Sequence, residues 1–175
     1  MNIFTLSPSY SPQESARMHC DQHLHKMILE SAQMLSTAFH MRGFKSSWIY
    51  KPSYPKHPCT LWVSSSNHHI LWLCELAEEL ENIRQELGHP FHSSSDVIKY
   101  TKEYIQEDFP MASSHLAETF PFAGPAHLSL NQTLSVPEKY QRYYKYKHAA
   151  WLDKGLKMSY KDRPIPSFMQ EIIKP

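Results

Sequence analysis

Apolar side chains recur every three or four residues along much of the chain, which is the spacing of helices rather than of strands. The clearest run predicts a helix over residues 68–87, capped by Asn67 and ended at Gly88. Its apolar positions are Leu73, Leu76, Leu80, Ile83 and Leu87. One face of this helix is therefore expected to lie in the core.

A longer helix is predicted nearer the N-terminus, from about Pro12 to about Met41. Ser11 is a suitable N-cap, Pro12 suits the first helical position, and Glu14 completes a capping box. Gly43 follows the last periodic position and ends the helix. The predicted apolar face consists of Cys20, Leu24, Met27, Ile28, Met34, Leu35 and Ala38.

The remaining segments predict shorter helices and irregular connections. Helices are expected near 59–63, after Ser94 or Ser95, over 137–154 and from Pro166. Residues 2–6 suit an edge strand or an extended segment, and 108–136 form a long proline-punctuated connection. The expected fold is mostly α: one helical bundle over residues 1–175, with long irregular connections and room for one short strand pair. A basic-aromatic segment, residues 137–168, is expected to pack on the helical body.

Composition excludes several classes of protein. The chain has 4 glycines, and it contains neither a Gly-x-Gly fingerprint nor a Gly-Lys-Ser/Thr phosphate loop. Cys20, Cys59 and Cys74 match neither a disulfide framework nor a zinc-finger spacing. No signal peptide and no apolar run of membrane-spanning length is visible. We therefore expect a cytoplasmic protein that does not contact a membrane.

Charge is unevenly distributed along the chain. Residues 139–175 contain nine Lys or Arg against three Asp or Glu, whereas the preceding residues are net acidic. A basic segment on an acidic body suggests an anionic partner, of which nucleic acid is the commonest. The alternative is a solvated, lysine-rich helix that complements the acidic body.

Four chemically active residues share one stripe of the predicted first helix. His19, His23, Lys26 and Glu30 are separated by steps of four, three and four, and Asp21 lies beside them. Two imidazoles and a carboxylate could hold a divalent metal through His19, His23 and Glu30. The positive charge of Lys26 opposes a dication, so acid–base or amine chemistry without a cofactor is favoured. The alternative is a set of surface residues paired at i,i+4.

Two further segments are candidates for binding phosphate. The run Lys56-His57-Pro58-Cys59-Thr60 opens a helix, where His57, Thr60 and backbone N–H groups could hold an anion. The run Lys139 to His148 interleaves basic residues with tyrosines, which suits phosphate contact combined with stacking on bases. Its candidate residues, together with a basic residue beyond it, are Arg142, Tyr143, Lys145 and Arg163.

Several of these segments together resemble a family of small phage proteins. The resemblance is carried by the opening Met-Asn-Ile-Phe and by the block His19-Cys20-Asp21-x-His23-x-x-Lys26-Met27-x-x-Glu30-x-x-Gln33. It continues in His57-Pro58-Cys59-x-x-Trp62 and in Tyr-x-x-Tyr-Tyr-x-x-Lys, followed by Trp151 and Arg163-x-x-Pro166. Some members of this family are labelled pyrimidine dimer DNA glycosylases. The resemblance implies a small helical protein that acts on DNA in the cytoplasm of an infected bacterium.

The pyrimidine dimer glycosylases of T-even phages use a freed N-terminal α-amine and a carboxylate, and their basic-aromatic ending is similar to the one here. Asn2 disfavours removal of Met1. We therefore expect Lys26 to supply the amine as nucleophile or cationic stabiliser, with Glu30 as its carboxylate partner. His19 and His23 would carry protons, and Arg142, Lys145 and Arg163 would hold phosphates.

The expected function is that of an enzyme acting on a DNA base, either glycosylase/lyase-like or base-modifying. Two alternatives remain open from the sequence. One is a metal-dependent hydrolase or nuclease that uses His19, His23 and Glu30, with Asp21 or His57 as further ligands. The other is a non-enzymatic protein that binds nucleic acid or a host factor through residues 139–163.

Overall fold

The computed structural model describes residues 1–106 and 119–173 of this 175-residue chain. Within these ranges it is helical and contains no β-strand, which confirms the predicted mostly-α fold. The helices are α1 (Pro12–Arg17), α2 (Asp21–Met41), α3 (Pro58–Ser64), α4 (Asn67–Glu86), α5 (Ser95–Gln106), α6 (Ala126–Ser129) and α7 (Val136–Leu152). A 3-10 turn, Ser167–Met169, follows α7.

Helices α2 and α4 form the centre of the bundle. They pack against each other, α1 covers α4, and α3 and α5 each contact both of them. The apolar stripe predicted for α4 is confirmed, because its leucines and Ile83 are buried and the C-cap Leu87 is partly buried. Tyr140 and Tyr144 of α7 are fully buried, so the basic-aromatic helix also contributes to the core.

The N-terminal segment, residues 2–7, runs extended through the interior. Side chains rather than a neighbouring strand satisfy its backbone. Glu30 Oε2 accepts the Asn2 N–H at 2.9 Å, and Ser15 Oγ accepts the N–H groups of Leu6 and Ser7, each at 3.1 Å. Gln141 Nε2 donates to the Leu6 carbonyl at 2.7 Å. The extended alternative is therefore the one that the structure adopts.

The prediction of one helix over 12–41 is wrong, because the chain leaves the helical path between Met18 and Cys20. Cys20 has extended dihedral angles and is the N-cap of α2. Contacts from distant residues satisfy the backbone groups freed by the break: Tyr144 Oη accepts the Cys20 N–H at 2.9 Å, and Arg163 donates to the His19 carbonyl at 2.9 Å. Residues far along the chain thus stabilise this interruption of the helix, which nothing in the neighbouring sequence predicts.

The predicted helix caps are only partly confirmed. Ser11 caps α1 by accepting the Glu14 N–H, but the Glu14 carboxylate binds the hydroxyls of Ser7 and Ser9 rather than closing a capping box. Ser66 caps α4 in place of the predicted Asn67. A complete capping box opens α7 at Ser135.

The long connection predicted over 108–136 contains the short helix α6 and the N-terminal end of α7. Its part from 108 to 118 lies outside the described residues. Across the described ranges, every helix is too short or too polar to cross a membrane.

We expect Ser15→Ala to lower the free energy of unfolding by about 2 kcal/mol or more, because it leaves two buried backbone N–H groups without an acceptor. Urea denaturation measures the difference. Ser31→Ala is the matched control. The Ser31 hydroxyl is equally buried but has no hydrogen-bond partner within residues 1–106 and 119–173, so its loss is expected to be neutral or stabilising. Equal destabilisation by both variants would contradict this account of the N-terminal segment.

Candidate functional site

The break before α2 separates the residues that the sequence grouped in one stripe. His19 lies in the link between α1 and α2, while His23, Lys26 and Glu30 lie on α2. Both histidines are fully buried, whereas the Lys26 side chain is 53% exposed and that of Glu30 is 11% exposed. The four residues therefore belong to two sites, one that solvent reaches and one inside the core.

The first site, the amine–carboxylate cluster, consists of Glu30, Lys26, Lys147 and the α-ammonium of Met1. Lys26 Nζ lies 3.6 Å from Glu30 Oε1, and the Met1 ammonium lies 3.6 Å from Glu30 Oε2. The Asn2 N–H donates to the same Oε2 at 2.9 Å. The carboxylate is thus held in place by the N-terminal segment, while one of its oxygens faces an exposed amine.

Sequence reasoning did not select Lys147 for this cluster. Its Nζ lies 5.4 Å from the centroid of the Phe4 ring and 5.6 Å from that of Trp151. Burial lowers the pKa of Lys147, the positive charge of Lys26 lowers it further, and Glu30 opposes the shift. The sequence did contain a signal for Lys147. Tyr143, Lys147 and Trp151 are spaced by four residues and so share one edge of a helix, where the lysine side chain must extend past aromatic rings.

His57 and Thr60 are positioned by the start of α3. His57 Nδ1 accepts the Cys59 N–H at 3.2 Å and so serves as the N-cap. Burial and the N-terminal ammonium lower the pKa of His57, while Glu30 raises it, so this histidine interacts electrostatically with the amine–carboxylate cluster. The Thr60 hydroxyl is buried and contacts Met1 Sδ, so it is not presented to a phosphate in solution.

The second site is buried between the start of α2 and α7, and we call it the cysteine–histidine cluster: Cys20, His23, Tyr144 and His148. Cys20 Sγ lies 3.3 Å from His148 Nε2 and 3.4 Å from Tyr144 Oη. His23 Nδ1 lies 2.9 Å from the same Tyr144 oxygen, and His148 Nδ1 donates to the Tyr144 carbonyl at 2.6 Å. Tyr144 therefore orients both imidazoles, one through its side chain and one through its backbone.

Burial is the main influence on protonation in this cluster. It lowers the pKa of His148 to about 4 and that of His23 well below 6.5, so both imidazoles are neutral at physiological pH. Burial also raises the pKa of the Cys20 thiol. His19, which adjoins the cluster, has its pKa lowered by burial to about 4. Buried, neutral histidines are poorly placed to exchange protons with a substrate in solution.

The predicted metal ligands His19, His23 and Glu30 do not form one group in the structure. Within residues 1–106 and 119–173, the group of three that could hold an ion is Cys20, His23 and His148, whose ligand atoms all lie within 4.8 Å of one another. Sequence reasoning missed Cys20 and His148 as partners because 128 residues separate them. Only their placement by α2 and α7 brings them together.

Asp21 and Arg163 form a structural ion pair. Arg163 Nη2 lies 2.6 Å from Asp21 Oδ1, and both side chains are about 10% exposed. The guanidinium also donates to the carbonyls of Arg17 and His19. Three acceptors at the α1–α2 link thus occupy Arg163, which is not presented as a free phosphate ligand.

The basic residues of α7 differ in how far they are free to bind another molecule. Lys145 forms an ion pair with Glu171, and Lys139 donates to the Ser129 carbonyl at 3.3 Å. Within the described part of the chain, Arg142 forms no hydrogen bond and no ion pair shorter than 4 Å. Tyr143 is partly buried against Phe4. Arg142 is therefore the most available cation of the predicted phosphate-binding set.

Because the pKa values of His19 and His148 are lowered, we predict that the free energy of unfolding decreases as the pH is lowered. A chelator is present in this measurement so that no metal ion competes with protons for the histidines. The unfolded His19 binds a proton near pH 6.5, whereas the buried ring resists protonation until about pH 4. Protons therefore bind preferentially to the unfolded chain between these values, and lowering the pH from 7 to 5 removes about 2 kcal/mol of stability through His19 alone. His148 acts in the same direction.

Urea denaturation at several pH values measures this slope. His19→Gln is expected to reduce the slope, while His89→Gln, at an exposed position, should leave it unchanged. An unaltered slope in His19→Gln would contradict the assignment.

Comparison of the chain with protein-family models, with characterised proteins and with solved structures found no match. The resemblance to phage glycosylase-like proteins stays a prediction from sequence motifs. The chemistry of the two clusters is therefore the basis for a functional assignment.

Proposed function

We propose that this protein is an enzyme that acts on a nucleobase in DNA, with glycosylase/lyase chemistry at the amine–carboxylate cluster. The observation that carries the proposal is the mostly buried Glu30 carboxylate with the exposed amine of Lys26 at 3.6 Å. A carboxylate held by buried contacts beside an amine that solvent can reach is suited to attack on a sugar carbon. Lys26 is assigned the attack because its side chain is 53% exposed and can reach a substrate in solution.

The chemistry of this pair follows from their charges. Lys26 first loses a proton, for which Glu30 is the adjacent acceptor, and its nitrogen then attacks C1′ of the deoxyribose. The glycosidic C1′–N bond breaks, its electron pair leaves with the base, and Glu30 passes the proton that it took from Lys26 to the base. The carboxylate that this restores stabilises the positive charge on the attached nitrogen and C1′. Glu30 then moves a proton from this nitrogen to O4′, the C1′–O4′ bond breaks, and a protonated imine forms between Lys26 and C1′.

Residues of α7 favour an extruded nucleotide as substrate. Lys147 adds a third positive charge that acts on Glu30, after Lys26 and the Met1 ammonium, and the partly buried Trp151 supplies aromatic surface next to Lys147. Further along the surface of α7, Tyr146 is 65% exposed and Arg142 is exposed. Cations for phosphates and rings for stacking would offset part of the few kcal/mol needed to extrude a base.

The proton-carrier roles expected for His19 and His23 do not suit this proposal, because both rings are buried away from solvent. His57 is the histidine that interacts with Glu30 and is still partly exposed. We assign proton transfer to Glu30, with His57 as its electrostatic neighbour.

The other functions considered from the sequence differ in which residues they need. A base-modifying enzyme would use the same amine–carboxylate cluster. A metal-dependent hydrolase built on His19, His23 and Glu30 is disfavoured, because these residues face two separate sites. A non-enzymatic nucleic-acid binder would need only the outer face of α7 and would keep its affinity without Lys26.

Lys26→Ala is expected to reduce cleavage of ultraviolet-irradiated DNA and of abasic-site DNA to the background rate, with folding and DNA affinity retained. Borohydride should trap the wild-type chain on abasic-site DNA by reducing the imine, and mass spectrometry of the trapped peptide should place the adduct at Lys26. Lys99→Ala, at an exposed lysine on α5, is the matched control and should keep full activity. Trapping at another amine, or cleavage by Lys26→Ala at the wild-type rate, would overturn the assignment.

Glu30→Gln keeps the hydrogen bond to the Asn2 N–H but removes the negative charge. We expect kcat to fall about 10²-fold or more, with little change in DNA affinity. Single-turnover cleavage measures the chemical step. A variant with wild-type kcat would show that the carboxylate charge has no part in the reaction.

Arg142→Ala is expected to weaken DNA binding uniformly across sequences and to reduce the slope of log affinity against log salt by about 1. Lys145→Ala is the comparison, because Lys145 is already paired with Glu171. Fluorescence anisotropy at several salt concentrations measures both. Equal effects of the two variants would contradict the ranking of these cations.

A further inference from the structure

The structure assigns a buried transition-metal site to Cys20, His23 and His148, of the class that takes Zn²⁺. This site lies inside the core, whereas the Lys26 amine on the same helix is exposed, and it is independent of the function proposed above. One thiol and two imidazoles form a donor set that binds borderline and soft cations in preference to Mg²⁺ or Ca²⁺. Zinc sites with three protein ligands and one further position are well established.

The positions of the donor atoms are the first support for the site. One ligand atom from each of the three residues lies within 4.8 Å of the other two, and Cys20 Sγ is 3.3 Å from His148 Nε2. The ring centroids of His23 and His148 are 4.8 Å apart with an angle of 70° between the rings. Small rotations of side chains would bring these atoms to the spacing around one tetrahedral ion.

The hydrogen bonds of the two imidazoles are the second support. His148 Nδ1 donates to the Tyr144 carbonyl, which leaves a lone pair on the Nε2 that faces Cys20. His23 Nδ1 bonds to the Tyr144 hydroxyl, and its buried Nε2 has no hydrogen-bond partner among the residues that the structure describes. In metal sites the non-ligating nitrogen of a histidine is held by a carbonyl or a similar outer group. Tyr144 supplies that outer group for both rings.

A buried polar atom without a partner needs a physical explanation, because it loses its hydration on folding. A metal ion would give the lone pair of His23 a partner inside a core that offers it none. The Cys20 thiol must lose its proton to solvent on binding, so Zn²⁺ enters and one H⁺ leaves.

The charges around the site favour a cation bound through thiolate. Lys147 and Lys26 act electrostatically on His23, while Asp21 acts on Cys20. A divalent ion bound only through neutral ligands would leave two buried positive charges near these lysines. The Cys20 thiolate neutralises one of these two charges. Binding would join Cys20, at the α1–α2 link, to His148 on α7 and so hold two distant segments together.

The experiment uses the full chain, first treated with a chelator and then titrated with Co²⁺ as a spectroscopic substitute for Zn²⁺. We expect about one Co²⁺ per chain, an intense thiolate-to-metal charge-transfer band and tetrahedral ligand-field bands. Zn²⁺ should displace Co²⁺, abolish these bands and raise Tm. A folded wild-type chain that shows no such band, or no rise in Tm with Zn²⁺, would overturn the assignment.

Cysteine variants identify the ligand. Cys20→Ser should lose the charge-transfer band, whereas Cys74→Ser, at a cysteine that is also fully buried, should keep it. Circular dichroism verifies folding. If Cys20→Ser does not fold, the combined Cys59→Ser and Cys74→Ser variant leaves Cys20 as the sole thiol, and its band must persist. A band that survives Cys20→Ser, or one that needs Cys59 or Cys74, would place the metal elsewhere.

Tyr144→Phe tests the orienting role of the tyrosine. It removes the hydroxyl that holds His23 but keeps the backbone carbonyl that holds His148. We expect Zn²⁺ affinity, measured against a chromophoric chelator, to fall about tenfold or more with the one-to-one stoichiometry kept. Unchanged affinity would contradict the outer-group role of Tyr144.

Discussion

Six buried residues at the start of the chain must run through the core without a strand partner, and their backbone polar groups still need hydrogen bonds. Four elements supply them through side chains. The N-terminal segment itself contributes Asn2, α1 contributes Ser15, α2 contributes Glu30 and α7 contributes Gln141. This requirement ties α1, α2 and α7 to the same segment, and both functional clusters draw their residues from α2 and α7.

The two clusters therefore have a common origin. Glu30 is held by the first residues of the N-terminal segment, which gives a carboxylate in a defined position beside exposed Lys26. Phe4, two residues further on, separates that surface from the interior by stacking on His23 and contacting Tyr144. One aromatic ring thus divides a solvated region of amines from a dry region of imidazoles and thiol.

The sequence was sufficient to predict most helices, their caps and the mostly-α fold, because these depend on local periodicity and on residues within one turn. It failed at the α1–α2 link, where Tyr144 and Arg163 replace the helical hydrogen bonds of Cys20 and His19. The same long-range contacts decide the site. No spacing in the sequence relates Cys20 to His148, which are 128 positions apart. His23 and Lys26 belong to one stripe of the sequence, and only packing in the folded chain buries His23 while leaving Lys26 exposed.

Tyr144 contacts one histidine with its hydroxyl and the other with its carbonyl, so its position along α7 matters as much as its identity. Inserting or deleting one residue in this helix would turn the following side chains by about 100°. Such a change would move His148 away from Cys20 while leaving helix propensity and charge almost unaltered. Related proteins with this fold would then be free to change the residues on the outer face of α7. They would keep the number of residues between Tyr140 and Trp151, because the register of the helix is constrained more than its composition.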